Sequence, residues 1–347
     1  MVAPTEPILA STLWTLHRAV QDQTTSNPAS RPKRLPTGLP SLDGALEGGL
    51  DHGSISCISA ETNSGAGDIM LAALVSHLLG EPEAPATIID TTLSFDLRRL
   101  HGKLVHALQI RGRDIEEAMT ILERLKIMKV FDFVGLTESV VEVRESLECR
   151  SANSPSHILR QAAPRGTVGD SEDEDEMLDI PTLPSLVPQR SPKGIPTPSL
   201  LIIDSISQVA APLIKSNYVQ GQALLTSFMR SLAHLSRTHR LSTLLLNGTT
   251  TNSQSKEDTP SIFLSCALRP ALGKTFAYML DMHLLVHAIP KTAADARRVY
   301  GGKHEGKGEQ EAELVEVIEV LQDRHGGRVG KWTAFTLDTS SNLAEAL

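Results

Sequence analysis

Short apolar runs and longer amphipathic stretches alternate along this chain. "SISCISA" (54–60), "ATIIDT" (86–91), "SLLIID" (199–204) and "LSTLLLN" (241–247) are compact runs of aliphatic and β-branched residues, the pattern of strands buried on both faces. Between them, "DIMLAALVSHLLG" (68–80), "DLRRLHGKLVHALQI" (96–110) and "GQALLTSFMRSLAHLSRTHR" (221–240) carry the wider spacing of helices. "KVFDFVG" (129–135) reads as a further strand, with Thr137 as N-cap of the helix "ESVVEVRESLECR" (138–150). Strand-helix repetition of this kind predicts an α/β fold with a mainly parallel sheet. At the C-terminal end "AYMLDMHLLVHAI" (277–289), "ELVEVIEVLQD" (313–323) and "KWTAFTLD" (331–338) follow one another as strands without helices. Gly326-Gly327 between the last two suits a hairpin, so antiparallel strands close the sheet.

Two regions break the rhythm. Residues 151–198 hold eight of the twenty prolines, the acidic run "DSEDEDE" (170–176) and no apolar periodicity, which predicts a disordered surface insertion. Ser171 before acids, and Ser191 and Thr197 before prolines, match kinase-site chemistry, although a solvated loop is the plainer reading. Near the start, "LASTLWTLHRAV" (9–20) predicts a short amphipathic helix, followed by a polar link containing "RPKR" (31–34), a weak import signal or a plain linker. The expected organisation is therefore a helix and linker (1–34), a first core part (35–150), the insertion (151–198) and a second core part (199–347).

Composition narrows the function. Forty per cent hydrophobic and 21% charged residues in 347 positions are an ordinary globular balance, while 3% aromatic residues argue against a platform of stacked bases. The net charge of -8 is weighted by the acidic run, so local patches decide any nucleic-acid contact. Cys57, Cys149 and Cys266 form no C-x-x-C pair, and the twelve histidines show no ligand spacing, so no metal site is expected. Nor does the chain contain an uninterrupted apolar stretch of membrane-spanning length, and the expectation is a soluble protein.

Three segments in a fixed order carry a family resemblance. They are "LPTGLPSLDGALEGGLDHGSIS" (35–56), with Thr37-Gly38, Leu42-Asp43, Gly48-Gly49 and Gly53; "LLIIDSIS" ending a strand in Asp204; and "RPALGKTF" (269–276). Together they resemble the RecA-like recombinase superfamily, and specifically the eukaryotic recombinase paralogues of homologous recombination. The resemblance implies a RecA-like P-loop NTPase core over roughly 35–340. It also implies partners: other paralogues and an active recombinase in a hetero-oligomer acting on single-stranded DNA in the nucleus, with no membrane.

Against that resemblance the phosphate loop is depleted. G-x-x-x-x-G-K-[ST] needs glycines for close backbone approach, a lysine on the β- and γ-phosphates and a hydroxyl on magnesium. "AETNSGAG" places Ala60, Gly65, Ala66 and Gly67 there, so alanine stands at the lysine position and glycine at the hydroxyl position. Asp68 follows in the first turn of the next helix, where its carboxylate is expected to take the place of a phosphate. "DTT" gives Asp90 but Thr92 where a glutamate would polarise water, and "LLLNGTT" keeps Asn247 with Gly248 at the γ-phosphate sensor. The implied cofactor is none or residual ATP and magnesium, and Asp204 is either a surviving magnesium-site carboxylate or a structural strand end.

Candidate DNA contacts lie in three expected loops: Lys215 in 208–220, Lys256 in 248–268, and Lys291, Arg297, Arg298, Lys303 and Lys307 in the glycine-containing 291–308. The chain thus reads as a non-catalytic paralogue. Its rivals are a DNA-dependent ATPase completed by a neighbouring subunit and a RecA-like subunit of an RNA-modifying complex of the Elongator type, against which "RPALGKTF" argues.

Overall fold

The computed structural model describes residues 34–62, 64–81, 83–152, 198–251, 260–263, 265–300, 312–337 and 343–345. The expected 9–20 helix, nearly all of the 151–198 insertion, and Lys256, Lys303 and Lys307 lie outside the described residues.

Among the described residues, ten strands form one sheet in the order β10-β9-β8-β7-β1-β5-β4-β2-β3, with β6 paired to β5. The parallel part joins β1 (Ile55–Ala60), β2 (Ala86–Asp90), β3 (Leu125–Lys129), β4 (Leu200–Asp204), β5 (Ser242–Thr251) and β7 (Met282–Pro290). Antiparallel pairing then adds β8 (Leu314–Asp323), β9 (Trp332–Leu337) and β10 (Leu343–Glu345) beyond β7. The short β6 (Leu268–Pro270) runs antiparallel to the end of β5. This is the mainly parallel sheet with antiparallel C-terminal strands that the apolar pattern predicts.

Period-two alternation gives the sheet two buried faces. Ile58, Ala60, Leu200, Ile202, Leu244, Ile318 and Val320 pack beneath α1 (Pro40–Ala45), α2 (Ala66–Gly80), α3 (Leu97–Ile110) and α4 (Glu117–Leu122). Their strand neighbours Ile55, Cys57, Leu201, Ile203 and Leu245 face α5 (Phe133–Ala152), α6 (Ile206–Ser216) and α7 (Tyr218–His239). Because β4 pairs with both β2 and β5, the chain on either side of 153–197 builds a single sheet.

Two boundaries differ from the sequence expectation. The strand read at 129–135 ends at Lys129, and α5 begins at Phe133, because Asp132 Oδ1 accepts the Gly135 N–H at 2.8 Å and turns the chain into a helix. Thr137 is therefore inside α5 rather than at its cap, with its hydroxyl donating to the Phe133 carbonyl at 2.9 Å. The expected 208–220 loop is instead the junction of two helices, where the Asn217 side chain caps α7 by accepting the Gln220 N–H at 3.1 Å. Lys215 consequently sits, exposed, in the last turn of α6.

The lead-in to β1 explains its own motif. Asp43 Oδ1 accepts the backbone N–H of Thr37 at 2.7 Å and its hydroxyl at 2.8 Å, which folds 37–43 into a closed turn. Gly49 has φ +115, and a Cβ there would collide with the carbonyl of Leu35, whose backbone pairs both ways with Leu50 at 2.8 Å. Arg328, 1% exposed, reaches from the β8–β9 connection to Asp51 Oδ2, Asp323 and the Leu46 carbonyl, tying the lead-in to the antiparallel strands.

Candidate functional site

The carboxyl ends of β1, β2, β4 and β5 lie side by side, the position at which open parallel sheets present their ligand sites. Ala60 ends β1 opposite Gly248 of β5, and Asp90 of β2 stands in register with Asp204 of β4. Ala60, Asp90, Asp204, Asn247 and Gly248 thus share one edge of the parallel strands, and Gly65, Ala66 and Gly67 follow β1 into the start of α2.

Asp68 departs from the expectation. It is buried in the first turn of α2, but its two oxygens take Arg99 Nη2 at 2.7 and 2.8 Å, and Lys103 Nζ lies 3.1 Å away. Both cations come from α3, so the carboxylate pins α2 to α3 rather than standing in for a phosphate. A different acid meets the loop: Glu316, from β8, accepts the Gly65 N–H on Oε2 at 2.7 Å. Phe335, from β9, fills the adjoining space, since a Cβ on Gly65 would overlap both the Phe335 ring and the Glu316 carboxylate. Burial pushes the Glu316 carboxyl above its ordinary range, the Gly65 N–H opposes that rise, and nearby Asp68 adds to it. Gly67 is open, since beyond its chain neighbours and its own helix backbone no atom lies within 4 Å of an added Cβ.

At the β2 and β4 ends the two aspartates differ. Asp90, fully buried, accepts from Thr92 N at 3.1 Å, Thr92 Oγ1 at 2.9 Å and Phe95 N at 3.1 Å. Thr92 is thereby turned onto its own turn, with its hydroxyl also 2.7 Å from Ser94 Oγ. Asp204 is pushed up to about 6, first by burial and then by the charge of Asp90. Beside them Asn247 Nδ2 donates to Ser59 Oγ at 3.0 Å and to the Ala271 carbonyl at 3.1 Å, and Ala271 N donates to the Gly248 carbonyl at 2.8 Å. The "RPALGKTF" segment, which forms β6 and α8 (Gly273–Ala277), is therefore bonded directly to this edge. Ser59 Oγ also lies 2.8 Å from His283 Nε2, and burial lowers that imidazole to about 4, so the network is uncharged at neutral pH.

The basic candidates are dispersed. Residues 293–300 form α9 (Ala293–Tyr300) instead of the expected loop, with Thr292 Oγ1 accepting the Asp295 N–H at 3.2 Å at its start. Arg298 lies 3.3 Å from Asp295, and Lys291 pairs with Glu313 at 2.9 Å, so two of the five charges are already answered by acids. Arg297 is exposed on α9, and Lys215 on α6. The loop contacts of Glu316 and Phe335, and the grip of Arg99 and Lys103 on Asp68, were not anticipated. The signal available for Glu316 was an acid placed inside the apolar run 313–323.

No family model matches the chain. The structure is similar to that of the RadB recombinase, with a TM-score of 0.54 at 17% identity, covering 90% of this chain and 100% of that one. In sequence the chain is similar to the DNA repair protein RAD51 homolog 4 of Bos taurus, 25% identical over 253 residues. That match takes in 73% of this chain and 61% of the relative, less than two thirds of the relative's length. Among the described residues, no helix is long and apolar enough to cross a membrane. The chain thus shares its fold with the RadB recombinase and part of its sequence with RAD51 homolog 4.

Proposed function

We propose that the chain works in homologous recombination and DNA double-strand-break repair as a non-catalytic recombinase paralogue, one subunit of a nuclear heteromeric complex that assists an active recombinase on single-stranded DNA. The observation that carries the non-catalytic reading is the Gly65 N–H, which is already bonded to Glu316 while Phe335 closes the space beside it. A transferring phosphoryl group is stabilised almost wholly by positioned cations and backbone donors. Here alanine holds the lysine position, a carboxylate holds the donor, and Thr92 is bonded back to Asp90. The repair role rests on the likeness to RAD51 homolog 4, and the nuclear site follows from that role. Lys215 and Arg297, with Lys256 and Lys303, are the DNA contacts this reading assigns, each as a phosphate contact that positions the strand without reading bases.

Affinity purification of the tagged chain with mass spectrometry is expected to recover recombinase paralogues, and ultraviolet crosslinking of that complex is expected to label single-stranded DNA. Recovery of tRNA-modifying subunits with tRNA crosslinks would overturn the assignment. The purified chain is expected to hydrolyse ATP no faster than buffer. Turnover that depends on partner subunits and vanishes with Asp204→Ala would make the complex a DNA-dependent ATPase completed in trans.

A further inference from the structure

β8 carries a second acid, Glu319, whose surroundings differ from those of Glu316. The two are three residues apart on one strand, so they point to opposite faces of the sheet. Glu319 is 0% exposed and lies across from Leu285 of β7. With it stand His287 of β7, 4% exposed, and Cys266, 6% exposed, from the segment leading into β6. One donor atom from each of the three lies within 4.8 Å of the other two.

As a set of protein groups alone, this cluster is poorly satisfied. Glu319 Oε2 accepts the Ile262 N–H at 3.0 Å, but Oε1 has no hydrogen-bond partner, and neither ring nitrogen of His287 has one. His287 Nε2 approaches Glu319 Oε1 to 3.2 Å without the alignment of a hydrogen bond. The buried carboxylate is then answered on that side only by this misaligned 3.2 Å pairing with His287, whereas a divalent cation answers all three groups at once. The charges also close: a thiolate and a carboxylate supply two negative charges, a neutral imidazole none, and a dication makes the buried site neutral.

We propose that Cys266, His287 and Glu319 bind one zinc ion. A soft thiolate, a borderline imidazole and a hard carboxylate together suit zinc over magnesium or calcium, which favour oxygen alone. Zinc takes sulfur at about 2.3 Å and nitrogen or oxygen at about 2.0–2.2 Å, so its donors stand roughly 3–4 Å apart, within reach of small side-chain rotations from the arrangement here. Supporting contacts of the expected kind are present. The Ile262 N–H orients one oxygen of Glu319, and Phe263 packs edge-on against His287 at 5.1 Å and against Trp332 at 5.4 Å, giving the site an apolar wall. Three protein ligands leave a fourth position for water. The ion fastens the segment before β6, which arrives from the candidate DNA-facing region 248–268, to the β7–β8 pair. This inference does not depend on the proposed function.

The test uses the full chain, purified under reducing conditions and probed with zinc and cobalt separately. After dialysis, elemental analysis is expected to find about one zinc per chain. Cobalt loading is expected to give thiolate-to-metal charge-transfer absorption, which Cys266→Ser abolishes and Cys57→Ser and Cys149→Ser leave in place. Glu319→Gln, which keeps an acceptor for the Ile262 N–H, is expected to weaken zinc at least about tenfold, by analogy with the loss of supporting contacts alone. A folded wild-type chain that takes up neither metal overturns the proposal. So does a charge-transfer band that persists in Cys266→Ser. If Cys266→Ser fails to fold, the wild-type cobalt spectrum and the Glu319→Gln affinity decide the matter.

Discussion

The two flanks of β1 make an instructive pair. On its entry side, 35–54, each special residue of the motif has a job that its neighbours enforce: Asp43 holds both the N–H and the hydroxyl of Thr37, and Gly49 exists because the Leu35 carbonyl leaves no room for a Cβ. On the exit side, 60–68, the demands come from elsewhere in the fold. Gly67 faces open space, and Asp68 is engaged by α3 in a purely structural pairing. Only Gly65 is sterically required, and what requires it is Glu316 and Phe335 of the same chain. Entry-side geometry is set by the turn that leads into β1, whereas exit-side geometry is set by contacts with α3, β8 and β9.

Substitutions break that comparison if the two flanks respond alike. The largest effect is expected from Gly49→Ala, which adds left-handed strain to a backbone collision and disrupts the Leu35–Leu50 bridge. A loss of about 3 kcal/mol or more, read by chemical denaturation, follows from strain and overpacking of about 1–3 kcal/mol each. A loss under about 1 kcal/mol would show the entry turn to be slack.

Asp204→Asn is expected to act in the opposite direction. The folded carboxyl sits at about 6 against an ordinary 3.8, so the folded state holds its proton more tightly than the unfolded chain. Its contribution is therefore fully present below about pH 4 and is lost as pH rises through about 6. Above that the charged group costs roughly 2–3 kcal/mol, at about 1.4 kcal/mol per pH unit. The asparagine variant should be the more stable chain at pH 7 and lose that advantage near pH 4. Parallel stability profiles for the two proteins would refute the argument. The smallest effect belongs to Gly67→Ala, expected to raise the melting temperature slightly, with a gain of at most about 1 kcal/mol from helix propensity. A marked loss would mean that the open space is needed.

The sheet was legible because buried strands leave short apolar runs, and 54–60, 86–91, 199–204 and 241–247 all overlap real strands. The run at 129–135 misled because Val130 and Phe133 are buried, at 4% and 8%, while Phe131 between them is 80% exposed. Apolar character there marks a turn and the first residue of a helix, and the decisive feature was the Asp132 cap. At the loop, the absence of lysine and hydroxyl could be read from residues 60–67 alone. Its occupation by Glu316 and Phe335 could not, since the hydrogen bond spans 251 positions and depends on β8 and β9 folding back beside β7. For the same reason Cys266, His287 and Glu319 formed no motif: three separate segments supply them.

Reversibility is where the Gly65 contact matters most. On paper, glycine at 60, lysine at 66 and threonine at 67 would rewrite "AETNSGAG" to the G-x-x-x-x-G-K-[ST] pattern in three steps. In the folded chain the lysine alone would arrive with the loop's N–H still held by Glu316, and a phosphate would still meet the Phe335 ring. Opening the Gly65 N–H therefore takes changes in β8 and β9 as well as in the loop. Two side chains from β8 and β9 thus tie the shape of the loop to strands more than 240 residues further along the chain.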